Sequence, residues 1–548
     1  MKQKNILLPW DVDLLPQKKL AAGELTCMYE AGNLRSIKCG KTEVLRMIYS
    51  ALRNEQWDTI PFSIIDEKIE VKEKEFFISY TAVYHQHDIS YKAFFEIEGR
   101  SDNTISFLMK GESLSSFKRN RIGLCIHHPV RECEGREVEI LETDGAVNRS
   151  TFPWLISPHQ PFINVEGMKW STADNLQMEL KLEGDIFETE DHRNWTDSSY
   201  KTYSTPLSLP YPVMVSKGEQ IQQRISLLVS TSKKAAAVVE KTNDEVKKIP
   251  FPKIGYGYEV KKTNLTATDI ALGKSIPLDQ LRVELDLSDT SWPEQLQTAF
   301  NAATQLNTRL ELVVFFEMSA DKQGSKFVKQ LTGIQERVVS VLVLQKGSDA
   351  TPSDLLADIY DKIKKDFPVI LLGYGTNGHF AELNRNRPSL SSSFDFISFS
   401  LQPQVHASDT RSIFENLENQ ADTIKTANSF APGKPINIHI KFGGRHTTDK
   451  NKADPRQYSS FAALWTLFTI QNLGEAGMLG FYELNGDTGI LPTDGRPSPI
   501  YQALAMIKEF EPVWIIKRYN DAVLIMDGLL LENSRGERLF FEYDKIFL

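Results

Sequence analysis

Glu382, Glu483 and His406 are the side chains whose types and settings point to proton transfer. Glu382 lies in Val369-Ile-Leu-Leu-Gly-Tyr-Gly-Thr-Asn-Gly-His-Phe-Ala-Glu-Leu-Asn-Arg-Asn-Arg-Pro388, where a short apolar run stops at glycines and a dense set of hydrogen-bonding groups follows. That pattern reads as the active end of a buried strand. Glu483 follows a second such run in Tyr482-Glu-Leu-Asn485, and His406 sits in Gln402-Pro-Gln-Val-His-Ala-Ser-Asp409. Two carboxyls in unlike surroundings can divide the roles of acid and base, and a histidine can serve either. The plainer reading of both glutamates is an ion pair with Arg385 or Arg445, since buried ion-pair networks place the same residue types at strand ends.

Other chemistries find less support. Gly373-Tyr-Gly-Thr-Asn-Gly378 matches a dinucleotide fingerprint, but Asp395 stands at the start of the next strand and Pro388 cuts short a phosphate-binding helix. Gly273-Lys-Ser275 lacks the earlier glycine of a phosphate loop, and no G-x-S-x-G elbow occurs. His406 and Asp409 alone do not make a metal-ligand cluster, so neither a metal nor another cofactor is expected.

The elements that must position these groups follow from the pattern of the whole chain. With 548 residues, 41% of them apolar, the chain is long enough for two or three domains. Residues 1–235 carry short alternating segments such as Glu75–Tyr84, Tyr91–Glu98, Thr104–Met109 and Gln220–Val229, which predict an antiparallel β-sandwich. Glu188–Tyr203 interrupts that alternation and reads as a loop ordered against something else. Residues 236–250 read as a linker.

From 251 to 511, apolar runs alternate with amphipathic helices. The runs are Ile254–Tyr258, Leu281–Leu287, Leu310–Phe316, Val338–Leu344, Val369–Leu372, Phe396–Ser400, Ile436–Ile440 and Gly477–Tyr482, the count of a (β/α)₈ TIM barrel. Helices are expected over 292–306, 353–365, 412–426, 458–473 and 499–510. The fold class is therefore α/β plus all-β, with residues 512–548 as a short C-terminal β extension that completes or packs on the β-domain. In such a barrel the reactive groups lie past the strand ends, which converge here on the half made by strands five to eight.

A net charge of -9 without a long basic run argues against nucleic acid. The first residues lack the apolar stretch of a signal peptide or membrane span, and Cys27, Cys39, Cys125 and Cys133 have no metal spacing. A cytoplasmic protein with reduced thiols and a small-molecule ligand is expected.

Several strings together resemble the D-apionate lactonases, sugar-acid lactone hydrolases of apiose catabolism. They are Asn120–Pro129, Glu190–Tyr203, Gly375–Pro388, Pro403–Asp409 and Asp454–Gln457, which between them span most of the chain. The string Tyr482-Glu-Leu-Asn-Gly-Asp487 departs from a Tyr-Glu-Thr-Thr-Gly-like pattern but retains Glu483. The resemblance implies opening of D-apionolactone to D-apionate. It assigns no catalytic residue, so the roles rest on barrel geometry. Glu382 or Glu483 would act as base, and His406 or the second carboxyl as acid. Asn377, Asn384, Arg385, Gln404, Arg445 and Tyr482 would bind substrate, and Asn194, Trp195, Asp197 and Lys201 would descend from the β-domain as a lid. A retaining glycosidase, whose two glutamates by analogy follow strands four and seven, and a noncatalytic carbohydrate-binding protein are the alternatives.

Overall fold

The computed structural model describes residues 2–231, 244–261, 264–317, 321–389, 393–442, 454–486, 488–491, 496–520 and 523–543. The chain forms two compact units: Leu14–Arg193 with Ser198–Glu240, and Met1–Asp13 with Asn194–Asp197 and Lys241–Leu548.

The first unit is an antiparallel, sandwich-like sheet of 17 strands. Alternating residues of its long strands fill the interior, where Tyr80 stacks on Phe95 and Phe95 meets the edge of Phe107. The polar stretch 188–203 is not a loop. Phe187–Asp191 and Ser199–Ser204 pair as antiparallel strands, and every residue of both is buried. Arg193 makes this possible. Its guanidinium meets the Asp191 carboxylate at 2.8 Å and donates to the Pro153 carbonyl at 2.8 Å, so a buried charge is both paired and hydrogen-bonded. Burial pushes the Cys27 thiol in this unit up to about 12, consistent with an inert core position.

The second unit holds a closed parallel barrel of eight strands. They are β1 (Lys253–Gly257), β2 (Gln280–Asp286), β3 (Arg309–Phe316), β4 (Val338–Gln345), β5 (Leu371–His379), β6 (Phe396–Leu401), β7 (Ile436–Ile440) and β8 (Met478–Glu483). The expected eight-strand (β/α)₈ order is present, including the short glycine-rich first strand. Such strands are buried on both faces, which is why they read as nearly continuous apolar runs.

The barrel interior is divided. Val313, Leu342, Leu344 and Phe396 form an apolar cluster on the side of β3 and β4. Across it, register sets Arg282 of β2 beside Glu311 of β3, and the two form an ion pair at 2.6 Å with almost no exposed surface. Glycine is required where strands crowd. A Cβ on Gly375 would lie 1.9 Å from the Ser398 carbonyl oxygen, a backbone atom of the neighbouring strand that cannot step aside. Gly375→Ala is accordingly expected to lower the unfolding free energy by about 1–3 kcal/mol, measured by urea titration, because the strand pair must separate to admit the methyl group.

Three further sequence expectations are corrected. The strands Pro512–Asn520, Gly528–Asn533 and Arg538–Tyr543 do not join the sandwich sheet. They form a sheet with Gln3–Leu8, parallel to Arg538–Tyr543, and with Asp244–Pro250, antiparallel to Pro512–Asn520. The second of these partners occupies part of the expected linker. It lies at the sheet edge, where a strand needs one neighbour and charged side chains guard the open side, so its Lys and Glu residues hid it. The helix expected over 412–426 is split into Thr410–Glu415 and Ala421–Phe430. Between them Asn416 is turned inward and donates to the Pro403 carbonyl at 3.1 Å.

Candidate active site

Glu483 owes its position to an irregularity in β8. Simple alternation from Gly480, which faces the His439 ring inside the barrel, would turn Tyr482 inward and Glu483 outward. Tyr482 instead adopts a left-handed backbone, φ 48°, and the pairing of β8 with β1 slips so that Gly257 stands opposite Glu483. The extra residue re-aims both side chains, as bulges do. The Tyr482 hydroxyl turns outward to Thr466 Oγ1, 2.8 Å away on helix Ser460–Leu473. The Glu483 carboxyl folds inward over Gly257, where a Cβ would come within 2.5 Å of it.

That placement removes water from Glu483 and pushes its carboxyl up to about 7. Desolvation is the main cause, and the Glu284 carboxylate adds to it. Lys441 and Arg282 oppose the shift and Glu259 adds a smaller push. A carboxyl in this range exists in both forms at neutral pH, which suits acid or base chemistry.

A chain of polar contacts crosses the mouth beside it. Arg282 Nη1 donates to Glu311 Oε1, and Arg282 Nη2 donates to Asn377 Oδ1 at 2.9 Å. Asn377 Nδ2 in turn donates to Glu284 Oε1 at 2.9 Å. His439 is buried near Arg282 and Lys441, and burial with those charges holds its pKa well below the usual imidazole range, so its ring is neutral.

Glu382 lies in the first turn of the short helix Phe380–Arg385 that follows β5. Its carboxyl meets the backbone at His379, as a glutamate reaching back to cap a helix start does. Burial raises its pKa against the pull of those backbone groups and of Arg385, and its Oε2 is buried with no partner among the described residues. The charges that act on Glu382 and on Glu483 are different sets.

A second polar cluster surrounds that helix. Residues 194–197 belong to the barrel unit. Asn384 Nδ2 donates to Asn194 Oδ1 at 2.9 Å, and Asn384 Oδ1 accepts from Arg387 at 2.7 Å. The Arg385 guanidinium lies 5.1 Å from the centre of the Trp195 ring, and the His406 ring meets Trp195 edge-on at 5.3 Å. His406 Nδ1 is 2.5 Å from Asp197 Oδ2, and Asp197 Oδ1 accepts from Asn416 at 3.2 Å. The pair fixes the imidazole orientation. Asp197→Ala is expected to cost about 1–3 kcal/mol of stability by thermal or urea unfolding, because the buried Asn416 amide loses an acceptor.

Structure thus brings together Asn194, Trp195, Asp197, Asn384, Arg385 and His406, and links Asn377 to Arg282 and Glu284 beside Glu483. Gln404 donates to Asp454 at 2.7 Å inside the barrel unit, and Tyr482 is packed against a helix. Lys201 lies in the sandwich unit, 3.4 Å from Glu190 and over the Tyr203 ring. Arg445 lies outside the described residues. Arg282, Glu284, Glu311 and Lys441 were not among the expected site residues. The signal was present in Leu281-Arg-Val-Glu-Leu-Asp-Leu287, where charges alternate with apolar residues in a strand whose outer face must be apolar.

Comparison with known proteins agrees with this architecture. Residues 6–232 match the N-terminal domain of D-apionate lactonase and residues 254–512 match the D-apionate lactonase TIM barrel domain. The chain belongs to the D-apionate lactonase family. Family membership makes it a hydrolase acting on a lactone. A D-apionate lactonase from Brucella anthropi is 28% identical over 515 residues, covering 87% of this chain and 84% of that protein. Among solved structures, a family 51 α-L-arabinofuranosidase from Bifidobacterium longum overlaps with 10% identity and TM-score 0.37, over 52% of this chain and 80% of that one. A glycoside hydrolase family 30 endoxylanase from Clostridium papyrosolvens overlaps with 9% identity and TM-score 0.36, over 52% and 78%. Overlaps this loose carry no functional argument. No helix among the described residues is long and apolar enough to cross a membrane.

Proposed function

We propose that this chain opens D-apionolactone to D-apionate, with the chemistry at the mouth of its barrel. The observation that carries the reading is Glu483, a carboxyl at the carboxyl end of β8 that burial and Glu284 hold at about 7. Lactone opening requires a base for the attacking water, donors for the tetrahedral oxyanion and an acid for the departing ring oxygen. Glu483 supplies one proton-transfer group. Glu382, with its unpartnered oxygen, or His406, oriented by Asp197, supplies the other. Positioned groups of this kind typically contribute about 10²–10⁴-fold each. Arg385 is the proposed donor to the oxyanion and the sugar hydroxyls, worth roughly 10²–10³-fold where it meets the oxyanion, with Arg445, outside the described residues, proposed as a second. Asn377, Asn384 and Gln404 act by holding their neighbours, since their amides are committed to Arg282 and Glu284, to Asn194 and Arg387, and to Asp454.

A retaining glycosidase gains nothing from the strand count, because Glu382 and Glu483 follow strands five and eight with the first strand in place. The deciding assay incubates the protein with D-apionolactone, a panel of aldonolactones and aryl glycosides at neutral pH, correcting for spontaneous lactone opening. Turnover of D-apionolactone well above the other lactones supports the proposal. Turnover of glycosides alone overturns it.

A further inference from the structure

Glu284 is exposed at the barrel mouth, yet its carboxylate is held in place. Asn377 Nδ2 donates to it at 2.9 Å, and the oxygen of the same amide accepts from Arg282 at 2.9 Å. The amide can face only this way, since a guanidinium only donates and a carboxylate only accepts. Arg282, the guanidinium beside this group, is committed to Glu311 and to Asn377 rather than to a second carboxylate at the mouth. Register brings Glu483 to the same strip. Gly257 of β1 is flanked by Glu483 of β8 on one side and Arg282 of β2 on the other, and it has no side chain to separate them. Among the described residues, the charged groups that act on Glu483 include Glu284 and Arg282 from β2, Lys441 past β7 and Glu259 past β1, and Glu284 is the strongest of these.

We propose that Glu284 is a positioning residue for lactone opening: a fixed anion, clamped by Asn377 and Arg282, that keeps the proton on Glu483 so that Glu483 serves as the acid for the departing ring oxygen. The inference rests on the lactonase reading above. Water adds to the carbonyl carbon and gives one proton to the base, Glu382 or His406. The electron pair on the resulting oxyanion returns as the bond to the ring oxygen breaks, and that oxygen takes the Glu483 proton to become a hydroxyl. The new carboxylic acid ionises, and Glu483 regains a proton as the base releases its own, so one lactone and one water give one carboxylate and one proton.

The test follows the Glu483 carboxyl directly, by carbon NMR titration of protein carrying ¹³C-labelled glutamate, with Glu483→Gln identifying the signal. Glu284→Gln keeps the acceptor for Asn377 but removes the charge. Its Glu483 midpoint is expected to fall by roughly one pH unit. The alkaline limb of the kcat profile moves down with it while KM changes little. Glu284→Asp, which keeps the charge, moves both less. An unmoved midpoint, or a loss of turnover at every pH with the limb in place, overturns the role of Glu284 while wild-type lactone turnover leaves the lactonase reading standing. Absence of lactone turnover by the wild type overturns that reading and the acid role of Glu483 with it.

Discussion

Glu483→Gln is expected to lower kcat for lactone opening by about 10²–10⁴-fold while making the protein more stable at alkaline pH. The activity loss follows from removing a carboxyl that exchanges a proton near neutrality. The stability change follows from the direction of its shift. The ordinary value is 4.5 and the folded value is about 7, so folding favours the protonated form. The favourable contribution is complete below the unfolded value and is lost as pH rises through the folded one. Above that, an ionised Glu483 sits where burial and Glu284 oppose it, a penalty of roughly 3 kcal/mol. Urea titrations at pH 5 and pH 8 check this. Wild type should lose stability between the two by more than the variant does. A variant that retains full turnover, or one with the wild-type dependence on pH, would remove Glu483 from the mechanism.

What could be read from the sequence was set by how local each determinant is. The barrel strands were legible because both of their faces are buried, so each is a short apolar run, and the helices Trp292–Leu306 and Pro499–Phe510 were legible from their 3.6-residue period. Glu483 and Asn377 were visible as polar residues just past such runs. Which way Glu483 points was not visible. It depends on one left-handed residue, Tyr482, and a slip in the pairing with β1, neither of which leaves a composition signal. The link between His406 and Asp197 joins residues 209 apart, beyond any periodic pattern. The edge strand Asp244–Pro250 was missed because its charged side chains serve the solvent side of a sheet whose bonds are backbone bonds. Arg282 and Glu284 are not legible as mouth residues for a different reason: they project from within β2 rather than following it.

The ion pair of Arg282 with Glu311 gives the largest expected stability effect. Arg282→Met should reduce the unfolding free energy by about 3–5 kcal/mol, because it leaves Glu311 without its counter-ion. The Glu311 side chain has no exposed surface, and burial already pushes its carboxyl above the ordinary range, with Arg282 as the main compensating charge. Asn437, at 3.5 Å, is too long a contact to replace it. Replacing both partners is a different matter. Arg282→Met with Glu311→Leu removes two desolvated charges together and is expected to recover most of the lost stability, a coupling that a double-mutant cycle in urea would measure. Activity should not recover with it. Asn377 would still lack the guanidinium that orients its amide toward Glu284, so the double variant is expected to fold well and turn over lactone slowly. Recovery of both stability and turnover would mean that Arg282 serves only the core and that its contact with Asn377 contributes nothing to the site.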